Sequence, residues 1–213
     1  MKPVNLNNPL YLFLILLLFF CCVGCFEYDE QIMMNPDGSG ELVIHYQTER
    51  DMKFQTLYFP TDIYDIEYNI KNNYAIEGVE LRTHDILQKQ DRTHVYMDFS
   101  FNRLATLNAA PRFQNEEFQT SQNEQGITLQ RFIYLDESKM DRSRILFKSG
   151  MKTLFNREIL SEIRFRFQWI VPGEIVESNA NFLGDRNRAV WTVTLTDILA
   201  NRSTRFYLVY RPG

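Results

Sequence analysis

Beyond position 25 the sequence has no cysteine; all three lie at 21, 22 and 25. That excludes disulfides, cysteine-ligated zinc, iron–sulfur clusters and a thiol nucleophile from everything downstream. A fold built there must be held by its core. Histidine is nearly as scarce, with His45, His84 and His94 alone, and none stands in a His-Glu-x-x-His setting. Ser39 is flanked by Gly38 and Gly40, but no Gly-x-Ser-x-Gly elbow occurs, nor a glycine loop of the kind that cradles phosphate. Positive charge is in deficit. Lys and Arg number 23 against 27 Asp and Glu, for a net charge of −4. Lys2 is the one charged side chain ahead of Cys25, so the remainder is one unit more negative. This balance argues against nucleic acid as a partner and against an electrostatic grip on anionic lipid.

One long apolar run is present, at the amino end. Lys2 opens a segment whose stretch from Pro9 to Phe20 is apolar, and Val23-Gly24 supplies small residues before Cys25. The run is short of the roughly 20 residues that cross a bilayer core. The order of positive start, apolar centre and small residues is that of an export signal, and the cysteine after it resembles a bacterial lipobox, with Cys22 where leucine is usual. The expectation is a signal peptide over 1–24 and a single domain over 25–213, lipidated at Cys25. A plain secretory signal and an uncleaved anchor are the alternatives. Each buried methylene contributes about 0.8 kcal/mol, so two or three acyl chains anchor stably where one does not. The implied address is the bacterial cell envelope, tethered to a membrane and facing the periplasm or cell surface. No second hydrophobic span follows, so attachment is expected to rest on Cys25 (palmitate or a similar acyl chain).

The remainder reads as β-rich. Phe26 to Glu30 reads as a short tether. Ile32-Met33-Met34 and Glu41 to Gln47 flank a Pro, Asp and Gly cluster and predict a hairpin, with Leu42, Ile44 and Tyr46 on one face and Val43 and His45 on the other. Val79–Leu87 and Thr93–Phe101 read as paired strands; Phe113–Glu124 is a weaker strand candidate, and Ile127–Leu135, Glu162–Val171, Arg188–Leu195 and Thr204–Tyr210 read as further strands. The stretch 57–74 is ambiguous, with Thr61 or Asp62 as a candidate cap for a helix carrying Ile63, Ile66 and Ile70; a helix is expected over 136–160, with a short piece from Arg103 to Asn108 capped by Asn102 and a turn over Thr196–Leu199. The expected fold class is α+β: a twisted antiparallel sheet of about eight strands with two or three packed helices.

Candidate sites are few. Cys25 is the lipidation site. Arg164 and Arg166 share the polar face of the clearest strand and are candidates to meet a phosphate headgroup or a partner's carboxylate; a solvated face is the plainer reading. His84 and His94 lie on paired strands. With Asp85 or Asp98 they are candidate transition-metal ligands, subject to a register in which one residue of slip separates them. No catalytic residue and no cofactor is assigned.

Two stretches carry a family resemblance. One is Asn35-Pro36-Asp37-Gly38-Ser39-Gly40, soon after the candidate lipidated cysteine. The other is Val171-Pro172-Gly173-Glu174-Ile175-Val176-Glu177-Ser178-Asn179-Ala180, followed by Gly184 and Trp191. In this order they resemble the LppM-like bacterial lipoprotein domain family, over most of the chain after Cys25. The sequence departs from it at the carboxyl end, where some similar proteins carry a membrane segment. The resemblance implies an exported, lipid-anchored, β-rich domain with a lipid- or envelope-binding role, and carries over no catalytic residues. Physically, Gly38 and Gly40 are expected at positive φ, Pro172-Gly173 in a type II turn, and Asn179 in left-handed geometry.

The functional expectation is a non-enzymatic binding or accessory module of the envelope, with lipid in an apolar groove or an envelope protein as partner. The alternative is a structural or protein-interaction module with a solid core. An exported hydrolase, using His84 or His94 with carboxylates, ranks last.

Overall fold

A computed structural model describes residues 27–49, 68, 70, 72–74, 76–89, 92–134, 163–201 and 203–213. Its strands are β1 (Glu27–Met34), β2 (Gly40–Glu49), β3 (Val79–Lys89), β4 (Arg92–Phe101), β5 (Glu116–Asn123), β6 (Gly126–Tyr134), β7 (Arg164–Ile170), β8 (Gly173–Ser178), β9 (Phe182–Gly184), β10 (Arg188–Thr194) and β11 (Ser203–Pro212). Helical structure is confined, among the described residues, to a turn ending at Tyr74, two 3-10 segments (Leu104–Ala109 and Pro111–Phe113) and α1 (Leu195–Ala200).

The described residues are therefore mostly β. The expected α+β class, with about eight strands in one sheet and two or three packed helices, is corrected to two sheets, of seven and four strands. The order is β3-β4-β2-β1-β7-β10-β9 in the large sheet and β5-β6-β11-β8 in the small one. Pairing is antiparallel except between the central strand β1 and β7, which run parallel. The strands that sequence reading missed, β8 and β9, are short and keep Val176, Phe182 and Leu183 exposed, so no single buried face announces them. The expected tether over Phe26–Glu30 is already strand from Glu27. The expected helix over 136–160 lies outside the described residues, as does most of that over 57–74. Thr196–Leu199, expected as a turn, belongs to α1. Its start is fixed by a capping box: Thr194 Oγ1 accepts from the Asp197 amide at 3.1 Å while Asp197 Oδ2 accepts from the Thr194 amide at 2.9 Å. The 3-10 segment after β4 starts behind Arg103 with no side-chain cap, so Asn102 does not perform the capping expected of it.

Alternation decides which side chains face inward. In β1, Tyr28, Glu30, Ile32 and Met34 are buried; in β4, Val95, Met97, Phe99 and Phe101. Phe167, Trp169 and Trp191 extend this inner face across β7 and β10, and Phe118, Leu129, Phe206 and Leu208 oppose it from the small sheet. Phe206 links the layers, 5.0 Å from Phe167 and 5.7 Å from Trp191 between ring centroids. Tyr74 stacks on Phe99 at 4.7 Å and meets Phe113 edge-on.

Three turn expectations change. Gly38 has φ +86, as expected, but Gly40 does not adopt positive φ; a Cβ there would lie 2.3 Å from the Met33 carbonyl oxygen and 2.5 Å from Phe101 Cζ. Gly40 is needed for close approach, not for conformation. Gly173 also lacks positive φ, so Pro172-Gly173 is not a type II turn. Asn179 is not left-handed. Its side chain instead ties the sheets together: Oδ1 accepts from Trp191 Nε1 and from the Tyr207 amide, both at 2.9 Å, and Nδ2 donates to the Arg205 carbonyl at 2.8 Å.

The core also contains a closed ring of charge. Arg131 on β6 donates from Nη1 and Nη2 to the two carboxylate oxygens of Glu30 on β1, at 2.5 and 3.1 Å. Its Nε donates to Glu116 Oε2 at 2.6 Å. Arg112 joins Glu116 Oε1 at 2.9 Å and the Tyr28 hydroxyl at 3.4 Å, and that hydroxyl donates to Glu30 Oε2 at 2.7 Å. The Arg131 guanidinium lies 4.5 Å from the centroid of Phe167 and 5.0 Å from that of Phe118. Burial opposes its charge, but Glu116 and Glu30 outweigh burial and hold it protonated above its ordinary range. Two arginines and two glutamates cancel, so the core holds four formal charges with no net charge among them.

Candidate functional site on the outer face of the large sheet

Residues paired across neighbouring strands share a face. On the outer face of the large sheet the register therefore lines up Asp85, Tyr96, His45, Asp29, Arg166 and Thr192 as one row across six strands. The adjoining rows bring Leu87, His94, Gln47, Glu27 and Arg164 to one side of it, and Asp98, Val43, Gln31 and Gln168 to the other. A shallow depression of about 150 Å³ opens between β2, β1 and β7, lined by Asp29, Gln31, Val43, His45, Arg166 and Gln168 among others.

Polar groups in this face bond mainly to their ladder neighbours. Gln168 Nε2 donates to Gln31 Oε1 at 2.6 Å, and Gln47 Nε2 to Glu27 Oε2 at 2.5 Å. Arg166 Nη1 stands 3.7 Å from Asp29 Oδ1, with both side chains about half exposed, which makes a loose pair worth little in water. His45 differs. Its ring stacks on Tyr96 at 4.2 Å and 7°, and lies 5.8 Å from His94 at 4°. His45 Nε2, His94 Nδ1 and Asp98 Oδ1 are shielded from solvent and have no hydrogen-bond partner among the described residues. Burial holds the His45 imidazole below its ordinary pKa; Asp29 and Glu27 pull it up, and His94 pushes it down. A neutral imidazole accepts through one nitrogen and donates through the other, so the face offers an acceptor or donor at His45 beside a cation and a carboxylate. That suits a small polar group at a surface.

The structure brings some sequence candidates together and separates others. Arg164 and Arg166 do share the exposed face of β7. Arg166 lines the depression; Arg164 lies one row away, opposite Glu27 and Thr194. His84 pairs with Met97 and His94 with Leu87. Those partners point to opposite faces of the sheet, so the register separates the two histidines as candidate co-ligands. The histidines that do meet are His45 and His94, on β2 and β4, a contact that requires knowing that β2 and not β3 flanks β4 on that side. Among the described residues no group of three or more His, Asp, Glu or Cys side chains converges as a metal-binding set. Cys25 lies outside the described residues, and among them no helix is long and apolar enough to cross a membrane.

No family model matches the chain, and no curated protein matches it. Among solved structures it is similar to the NMR structure of the folded domain of LppM from Mycobacterium tuberculosis. The likeness has a TM-score of 0.48 and 10% sequence identity, and covers 89% of this chain and 91% of that one. It is a likeness in the course of the chain, assigns this protein to no family and transfers no residue role.

Proposed function

We propose that this protein is a lipid-anchored, non-enzymatic accessory module of the bacterial envelope, attached through Cys25 and working through its surface. The observation that carries the surface reading is the aromatic and ionic packing between the sheets. Trp169, Tyr28, Phe113 and Phe118 are almost completely buried there, and the Glu30–Arg131 pair spans the gap. Such packing supports the solid-core interaction module over the reading in which lipid occupies an apolar interior groove, because a guest would have to displace aromatic rings and break a buried ion pair. Envelope attachment is supported by the lipobox-like run ending at Cys25. The partner in this reading is an envelope protein or polar envelope component.

Metabolic feeding with a clickable palmitate tests it. The wild-type chain takes up label and fractionates with membranes, while Cys25→Ser is unlabelled and leaves them. An unlabelled wild type, or a Cys25→Ser protein still retained on membranes, overturns the anchor.

A further inference from the structure

We infer that the domain stands end-on to the bilayer, with one rim of the large sheet against the phospholipid headgroups and the Asn35–Gly40 hairpin at the opposite, outward end. This rests on the lipidation of Cys25 proposed above and specifies the lipid surface that this anchoring selects. Two features of the chain carry it.

The first is the shortness of the connection. Glu27 is the first residue of β1, two positions after Cys25, and two residues of extended chain reach about 7 Å at most. Acyl chains on Cys25 hold its sulfur at the headgroup level, so the start of β1 cannot leave that level.

The second is where β1 lies. It is the middle strand of seven. An anchor on an edge strand would let a sheet lean over; an anchor at the end of the middle strand pins the whole rim. The register identifies that rim. Level with Glu27 are Leu87, His94, Gln47, Arg164 and Thr194. Beyond that row lie Lys89 at the end of β3, Arg92 at the start of β4, and the start of α1 at Leu195. β1 then rises through seven residue steps to Met34, which places the hairpin tip about 23 Å further from the membrane. Pro36 and Arg103, both exposed, mark that far end; Lys89 and Gln88, also exposed, mark the near one.

The row holding His45 and Arg166 is two residues above the rim, so the candidate site stands beside the headgroup layer, open to partners approaching along the membrane. The fit is one of tether length and topology. Among the described residues near-rim charge is mixed, with Lys89, Arg92 and Arg164 against Glu27, Glu49 and Asp197.

Processing that removes 1–24 takes Cys21 and Cys22 with it, and a lipidated Cys25 no longer presents a thiol, so the test is direct. Single substitutions Lys89→Cys and Pro36→Cys in the processed, lipidated protein accept a fluorescent donor. Vesicles of phosphatidylcholine and phosphatidylglycerol carry an acceptor on a trace headgroup lipid. Energy transfer is expected to be several-fold stronger from position 89 than from position 36, and the pair Gln88→Cys and Arg103→Cys is expected to repeat the contrast at independent sites. Vesicle binding with equal or reversed transfer overturns the orientation and leaves the anchor standing. Failure of the lipidated protein to bind vesicles, with no transfer from any site, removes the anchor and the orientation together.

Discussion

Arg131 and Glu30 face each other from opposite sheets, joined by two hydrogen bonds between side chains that are each about 1% exposed. Removing one partner leaves the other charged and buried, which typically costs about 3–5 kcal/mol. Glu30→Gln and Arg131→Met are each expected to lose stability on that scale in urea unfolding. The double variant Glu30→Leu/Arg131→Met is expected to recover much of the loss, because a buried ion pair is worth little relative to well-packed apolar groups. A double variant as unstable as the sum of its parts would mean that the two side chains do not couple, and would refute the argument that each is costly because it leaves the other unpaired.

The same core predicts the response to alkali. Burial pushes the Tyr74 phenol up to about 12 and the Tyr28 phenol well above its ordinary value, with the Glu30 charge adding to the latter. A phenol whose folded pKa is raised contributes stability in full below the unfolded value of about 10, and loses it as pH climbs through the folded value. Stability should therefore hold to about pH 9.5 and fall between pH 10 and 12, Tyr74 alone accounting for about 3 kcal/mol across its two-unit shift. Tyr74→Phe should flatten part of that slope, and ultraviolet titration of the wild type should show phenolate appearing together with unfolding. A smooth titration of all tyrosines in a protein that stays folded would refute the burial argument.

Two glycines two residues apart should fail for different reasons. Gly38→Ala meets open space but keeps φ +86, a left-handed placement that costs about 1–2 kcal/mol with a side chain; Gly38→Asn should be milder. Gly40→Ala meets the Met33 carbonyl and the Phe101 ring, so overpacking of about 1–3 kcal/mol is expected, and Asn should be worse than Ala there. Thermal melting of the four variants checks the ranking, which reverses if both glycines serve the same purpose.

Legibility in the sequence followed how a residue's role is encoded. Alternating runs such as Val95–Phe101 and Phe165–Val171 announced their strands, because a buried face every second residue is a local signal. The charged ring was present as the same signal with the wrong residue type: Glu30 continues the buried series Tyr28, Ile32, Met34, and Arg131 sits between Leu129 and Ile133 on an inward face. A charge at an inward position on two strands foretells a buried pair, but not which two, since β1 and β6 meet only in the folded sandwich. Pairing was equally invisible for histidine. His84 and His94 looked adjacent because their strands are consecutive, whereas the contact runs to His45 through the β2–β4 pairing. Asn179 likewise reads as a turn residue until Trp191 and Tyr207 arrive from elsewhere in the chain.

The histidine stack makes the outer face sensitive to acid. Burial depresses the His45 pKa, and His94 reinforces the shift, while Asp29 and Glu27 on β1 oppose it; Arg166 stands beyond Asp29 on β7 and Asp85 beyond Tyr96 on β3. A group whose folded pKa is depressed contributes its stability above the unfolded value, about 6.5 for imidazole, and loses it as pH falls through the folded value. The His45 ring lies 5.8 Å from the His94 ring, so a charge on His45 is placed against that stacked face. The expected outcome is a protein whose outer face loosens below about pH 6. In proton NMR the His45 ring should titrate below the free imidazole value. His45→Phe keeps the stack on Tyr96 without a titrating nitrogen and should remove that step in stability, whereas His84→Phe, on the other face of the β3–β4 hairpin, should leave it in place. An acid step that survives His45→Phe unchanged would assign it to carboxylates elsewhere and strip the stack of its role.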